Sequence, residues 1–302
     1  MTPGAAEDLQ WVLWSGTLGL ESPLLERFPA AAAGGFDHLS LSAPDVARAA
    51  EQGLPATEIR RRADDLGLRL IMDPVMNWHP ATEPSRSRFA RFSMDEALRM
   101  CEALGVASMT AIASSTSAAS ADELIELFGT LCDRAADLGA LVHLEFIPMS
   151  AITDVASAWA IVRGADRRNG GILFDTWHFF RGSADFDDLA AVPGERIFAV
   201  QVDDALPDVV GSLWDDTQRR LLPGDGCFDL PRVLRMLVRM GGLRRVGPEV
   251  IAPETAAMPA ADAARLAGER VRALVADAFD SHSLDARALD TRALDTEGMR
   301  HD

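Results

Sequence analysis

Lysine and tyrosine are both missing from this 302-residue chain, and all 29 of its basic residues are arginine. Without lysine there is no Schiff-base or pyridoxal-phosphate anchor and no P-loop of the usual kind. Acid–base work must fall to Asp, Glu, His, Cys or a metal-bound water. Cysteine is nearly absent too: Cys101, Cys132 and Cys227 are far apart and odd in number, so the sequence points to neither a disulfide framework nor a cysteine zinc site. Each reads as a small hydrophobe. No apolar run approaches the roughly 20 residues that cross a bilayer, and no basic segment leads into an apolar one at the N-terminus, so a cytoplasmic location is expected. Positive charge is scarce. A formal net charge of −17 opposes nucleic acid and anionic membranes as partners, leaving a small-molecule substrate, with a homo-oligomer left open.

What is present alternates. Short apolar runs (Gln10–Trp14, Phe36–Ser42, Leu68–Met72, Val106–Ala113, Leu141–Ile147, Ile172–Phe174, Arg196–Val202 and Val246–Ile251) read as eight strands. Between them lie helical segments such as Ala43–Leu66, Phe89–Leu104 and Asp122–Leu138, the last closing helix being expected over Ala260–Phe279. Eight βα repeats at about thirty-residue spacing predict an α/β fold, a single (β/α)8 TIM barrel over residues 1–280, with a doubly wound sheet as the alternative. From Ser283 to Thr296 the chain repeats every five residues, matching neither helix nor strand period. Residues 281–302 are therefore expected to be a poorly ordered, low-complexity tail.

The stretch Gly171–Gly182 organises the rest. Its apolar run stops at Asp175, followed by His178 and Arg181, and the carboxyl end of a buried parallel strand is where ligands bind. Asp175 as a turn cap and His178 as a core histidine is the plainer reading. Three other predicted strand exits repeat the pattern, with Glu145, Gln201 and Glu249. Neighbouring strands of a barrel would bring the four together, and three carboxylates so placed repel one another unless a cation sits among them. Three anionic oxygens and an amide oxygen suit Mn²⁺, Mg²⁺ or Co²⁺ better than Zn²⁺, which is also compatible. Arg181 is a candidate fork for a substrate phosphate or carboxylate, against a plain salt bridge. Trp14, Trp78 and Trp177 offer an apolar wall for a sugar ring, or core filling. His79 is a further candidate contact, and His143 reads as structural.

These motifs occur in an order that resembles the xylose-isomerase-like barrels, in particular the sugar phosphate isomerase/epimerase branch. They are His143-Leu-Glu145-Phe146, Asp175-Thr-Trp-His178 with Arg181-Gly182, Gln201-Val-Asp-Asp204, Pro223-Gly-Asp-Gly-Cys-Phe-Asp-Leu230 and Gly247-Pro-Glu249. The likeness runs from about Trp11 to Val275. It implies Glu145, Asp175 and Glu249 as metal ligands, His178 as a substrate-contacting histidine, and Glu145 with Glu249 as the acid–base pair. Gln201 stands where relatives usually carry a histidine ligand, which puts metal identity and affinity in question.

The activity so implied is isomerisation or epimerisation of a sugar, sugar phosphate or polyol ketone, by proton transfer through an enediolate that the ion stabilises. Loss of a β-hydroxyl, with His178 as its acid, would instead make the protein a dehydratase of the inosose or dehydroshikimate type. A barrel that only binds a small polyol is the non-enzymatic reading, motivated by Gln201.

Overall fold

The computed structural model describes residues 9–83 and 87–298, with side chains as far as His282. Eight strands are β1 (Gln10–Leu13), β2 (His38–Leu41), β3 (Arg69–Val75), β4 (Ser108–Ile112), β5 (Leu141–Glu145), β6 (Gly170–Asp175), β7 (Ile197–Val202) and β8 (Arg245–Pro248). All pair in parallel and in chain order, and β8 returns to β1, closing a (β/α)8 barrel.

Alternation along each strand sorts the side chains. Leu39, Leu41, Met109, Leu144, Phe174 and Val200 point outward into the main core under the helices. Val12, Trp14, Ile71, Leu173 and Ala199 form a separate apolar cluster inside the barrel. Two glycines make the interior possible. A Cβ on Gly171 would lie 2.5 Å from the Phe198 ring, and one on Gly247 would lie 1.7 Å from the Val12 carbonyl oxygen. Phe198 thus fills the barrel's lower end across the missing side chain of Gly171.

Helix starts follow capping chemistry. Ser42 with Asp45, Ser93 with Glu96, and Ser120 with Glu123 each exchange side-chain and backbone bonds across the first turn. The structure departs from expectation in five places. The helix read over Ala43–Leu66 is two, Ala43–Glu51 and Ala56–Asp65, because Gly53 at φ +80° and Pro55 cannot continue it. The segment expected as a helix from Phe89 starts at Met94, where Ser93 supplies the cap, after a short 3-10 turn at Arg88–Arg91. The β3 strand extends past Met72 to Val75. The connection after β7 contains two short turns, Leu213–Asp216 and Thr217–Arg219. The closing helix spans Ala260–Gly298. The tail expected over 281–302 lies outside the described residues for nearly all its side chains and for its last four positions.

Among the described residues, no helix is long and apolar enough to cross a membrane.

Candidate active site at the carboxyl mouth

Inward-facing positions at the ends of five neighbouring or near-neighbouring strands meet here. Glu145 ends β5, Asp175 ends β6, Gln201 lies beside Asp175 in the β6–β7 register, and Glu249 follows β8. Each is buried. Two carboxylates not singled out from the sequence join them: Asp73 on β3, and Asp203 just past β7, two residues beyond Gln201 and so on the same side. Thr17 fixes the β8 exit by bonding the Pro248 carbonyl and the Val250 amide, both at 3.0 Å.

The sequence predicts a divalent ion among the acids; the structure places a guanidinium of the chain itself, Arg220, between three of them. Arg220 is 2 % exposed and directs its Nη1 at Asp175 Oδ2 (2.7 Å), Asp203 Oδ2 and Glu249 Oε2 (3.2 Å), and at the Glu249 carbonyl (3.1 Å). Its guanidinium lies 5.6 Å from the Trp177 ring centre. Arg220 arrives on the long segment between β7 and the helix Leu230–Met240, and that segment is clasped in place by Asp216. Asp216 accepts from Trp177 Nε1 (3.0 Å), Arg181 Nε (2.8 Å) and the Val210 amide (2.9 Å). Arg181 also donates to the Leu206 carbonyl at 2.7 Å.

One guanidinium cannot neutralise five acids in so dry a place. Burial pushes Glu145 well above the usual carboxylate range, helped by Asp73 and Asp175. Burial likewise raises Glu249 against the pull of Arg220, with Asp73, Glu145 and Asp175 adding to it. Asp203 is raised by burial and by Asp175. Asp73 goes up to about 6, through burial and Asp175. Only Asp175 is held below the ordinary value: burial opposes its charge, but Arg220, His178 and the His178 amide outweigh it. Burial lowers His178 to about 4, so it is a neutral imidazole at pH 7.

Glu145, Asp175 and His178 offer ligand atoms all within 4.8 Å of one another. His178 Nε2 is 3.2 Å from Glu145 Oε1, while its Nδ1 has no partner. Gln201 is fully buried with neither amide atom bonded. A carboxylate without a fixed counter-charge, a neutral imidazole and an unsatisfied amide oxygen are a donor set that fits a divalent ion.

The other sequence-predicted contacts are placed less openly. Trp14 is wholly buried inside the barrel. Trp78 is buried, donating to the Ile112 carbonyl at 2.9 Å, and Trp177 is buried beneath Arg220. His79 has both ring nitrogens engaged, one with the Pro80 carbonyl (3.0 Å) and one accepting from the Ser114 amide (2.9 Å). Asp175 does cap the next turn, accepting from the His178 amide at 2.8 Å, so the plain and the functional reading of that residue both hold geometrically. The signal for Asp73 was present, since it ends an apolar run as Asp175 does. Arg220 sits in a segment without periodicity, and only the charge argument pointed to such a group.

Three relatives place the fold. An inosose isomerase from Bacillus velezensis is 30% identical over 156 residues, which is 51% of this chain and 55% of that protein. A 3-dehydroshikimate dehydratase from Pseudomonas aeruginosa is 29% identical over 232 residues, 74% of this chain and 36% of that one. This chain therefore spans only about half and about a third of those two relatives' lengths. Among solved structures, the IolI protein with a bound zinc atom superposes with a TM-score of 0.78 at 20% identity, covering 90% of this chain and 99% of the other. The family model for the xylose isomerase-like TIM barrel matches residues 28–274, and the chain belongs to that family.

Proposed function

We propose that the protein is a divalent-metal-dependent isomerase or epimerase acting on a sugar, sugar phosphate or related polyol ketone in the cytoplasm. The observation that carries this reading is the pair Glu145 and Glu249. Both sit at the carboxyl mouth and both are raised well above the usual carboxylate range, chiefly by burial. A carboxyl tuned upward is suited to taking and returning a proton near neutral pH. Two relatives are named as an inosose isomerase and a 3-dehydroshikimate dehydratase, which supports an isomerase or dehydratase reading.

The residues divide the work as follows. Glu145, Asp175 and His178 would hold the ion, with the Gln201 amide oxygen free to join them. The ion, once bound, supplies Lewis-acid polarisation of a carbonyl and its neighbouring hydroxyl. Arg220 keeps Asp175 ionised and anchors the Glu249 carboxyl by one oxygen, leaving Oε1 free to face a substrate carbon. Glu249 removes the proton beside the carbonyl, and Glu145 delivers one to the opposite face or to the adjacent carbon. The first outcome is epimerisation and the second aldose–ketose isomerisation. Trp177, packed under the guanidinium, holds Arg220 in that pose.

A specific observation favours one second reading. The dehydratase match covers 74% of this chain, and His178 touches Glu145 at 3.2 Å, a pair able to pass a proton to a departing hydroxyl. A panel of ketoses and inososes in deuterated water with Mn²⁺ tests both. Deuterium gained at carbon without loss of water supports isomerase or epimerase; an enone absorbance marks the dehydratase. Glu249→Gln is expected to abolish turnover with an unchanged circular dichroism spectrum. Wild-type turnover in that variant refutes its acid–base role.

A further inference from the structure

We propose that the amino-terminal mouth of the barrel, opposite the carboxylate cluster, binds a small oxyanion with phosphate chemistry. The proposal is independent of the reading above, because it concerns the other end of the strands. Leu141 and Glu145 mark the two ends of β5, about 13 Å apart at strand rise.

A cavity of 730 Å³ opens at this end, between strand starts. Arg168 and Arg244 precede β6 and β8, Arg245 begins β8 and Gln10 begins β1; Arg245 is half-buried, while Arg168 and Arg244 are exposed. Among the described residues, these three guanidinium groups make no hydrogen bond and no ion pair, although the Arg244 carbonyl accepts from the Gln10 amide. Arg245 contrasts with Arg27, Arg181, Arg196 and Arg220, buried or half-buried arginines that are all bonded. Arg245 is half-buried, and its proton affinity is lowered first by burial and then by Arg69 and Arg244, both of its own sign.

Partly desolvated charge without a partner is costly, and like neighbours raise the cost. In a chain of net charge −17 there was no shortage of acids to place here. One acid, Glu195, lines the cavity and leaves the three arginines in excess. The C-terminal end of helix Leu230–Met240 is close by, but its dipole is worth half a charge at most, and Gly241 caps its last carbonyls. Just inside, His38 faces inward from β2, is 1 % exposed and has no partner on Nδ1. Burial lowers its proton affinity, and Arg245 and Arg69 lower it further against the opposing pull of Asp37. Planar guanidinium forks match phosphate oxygens two at a time. Phe198 and Phe279 supply apolar walls that strengthen such bonds.

The test uses the full chain in a phosphate-free buffer, titrated with sodium phosphate against sodium chloride of equal ionic strength. Thermal unfolding and ³¹P line width are the readouts. Phosphate is expected to raise the melting temperature beyond the chloride control, and the Arg244→Gln/Arg245→Gln variant to weaken its apparent Kd at least tenfold. Arg181→Gln, at the opposite mouth, is expected to keep the wild-type Kd. Without phosphate the double variant is expected to melt no lower than wild type, since it removes repulsion and no bond. Glucose 6-phosphate binding as tightly as phosphate would identify a phosphorylated metabolite as the source; binding of inorganic phosphate alone would identify the free ion. The proposal is overturned if chloride reproduces the shift, if the double variant retains wild-type affinity, if Arg181→Gln loses it, or if the double variant is destabilised in phosphate-free buffer.

Discussion

Replacing Arg220 by glutamine removes the only guanidinium bonded to the acids of the carboxyl mouth among the described residues, and its effect can be worked out from the geometry. Its Nη1 lies 2.7 Å from Asp175 and 3.2 Å from Glu249, with side chains 2 %, 0 % and 12 % exposed. Removing one member of so buried a group costs about 3–5 kcal/mol, or roughly 5–8 °C in melting temperature for a domain of this size. The sign with pH follows. Asp175 has a depressed folded-state value, so its contribution exists above the unfolded value of about 3.9 and disappears as pH falls through the folded one. The variant lacks that contribution at pH 7. Asp203 and Glu249 are raised already, so folding forces protons onto them as pH rises; without Arg220 they are raised further. The deficit of Arg220→Gln should therefore be larger at pH 7 than at pH 5. Thermal unfolding at both values in the presence of a chelator measures it. Added Mn²⁺ should then raise the melting temperature of the variant more than that of wild type, because the ion meets unneutralised carboxylates. A variant as stable as wild type at pH 7, or equally impaired at both pH values, would refute the account of Arg220 as the internal counter-charge.

Glu145→Gln should bind at least tenfold less Mn²⁺ while folding normally, because an amide resembles the protonated carboxyl that burial favours; isothermal titration and circular dichroism check the two halves. Gln201→His should tighten Mn²⁺ or Zn²⁺ binding by about tenfold, since imidazole is the stronger ligand, and a weaker affinity would remove Gln201 from the ligand set. Asp45→Asn breaks the buried pair with Arg27 at 3.0 Å and should cost about 3 kcal/mol at pH 7 in urea unfolding. Burial alone would raise Asp45, but Arg27 and Ser42 bring it below its ordinary value, so this loss should fade as pH falls below about 4. A deficit that did not shrink on acidification below that point would show that the pairing was not its source.

The barrel was legible because its strands are buried on both faces and end abruptly. The apolar run Ile172–Phe174 terminating at Asp175 is a local signal, and β5, β7 and β8 repeat it. The two-residue offset from Gln201 to Asp203 was equally readable, yet it took the register to show both facing inward. Arg220 was out of reach. It lies in a segment whose path depends on Asp216 reaching Trp177 and Arg181, and such contacts leave no period in the sequence. The tryptophans show the opposite limit: proximity to strand ends is visible in sequence, but whether a ring faces the mouth, as opposed to lying within the barrel like Trp14, depends on alternation at each strand.

The Phe198 ring lying across Gly171 has a consequence for how the two ends of the molecule communicate. It forms the lower of two layers: above it Val12, Trp14, Ile71, Leu173 and Ala199 fill the bore, so solutes at the arginine end have no open path upward. Whatever happens at one mouth reaches the other through the electric field or through small tilts of the staves. Shrinking that ring to alanine should leave a hollow below the inner layer, still closed above by Trp14 and its neighbours, and its first symptom should be faster exchange of the amide protons at the strand starts.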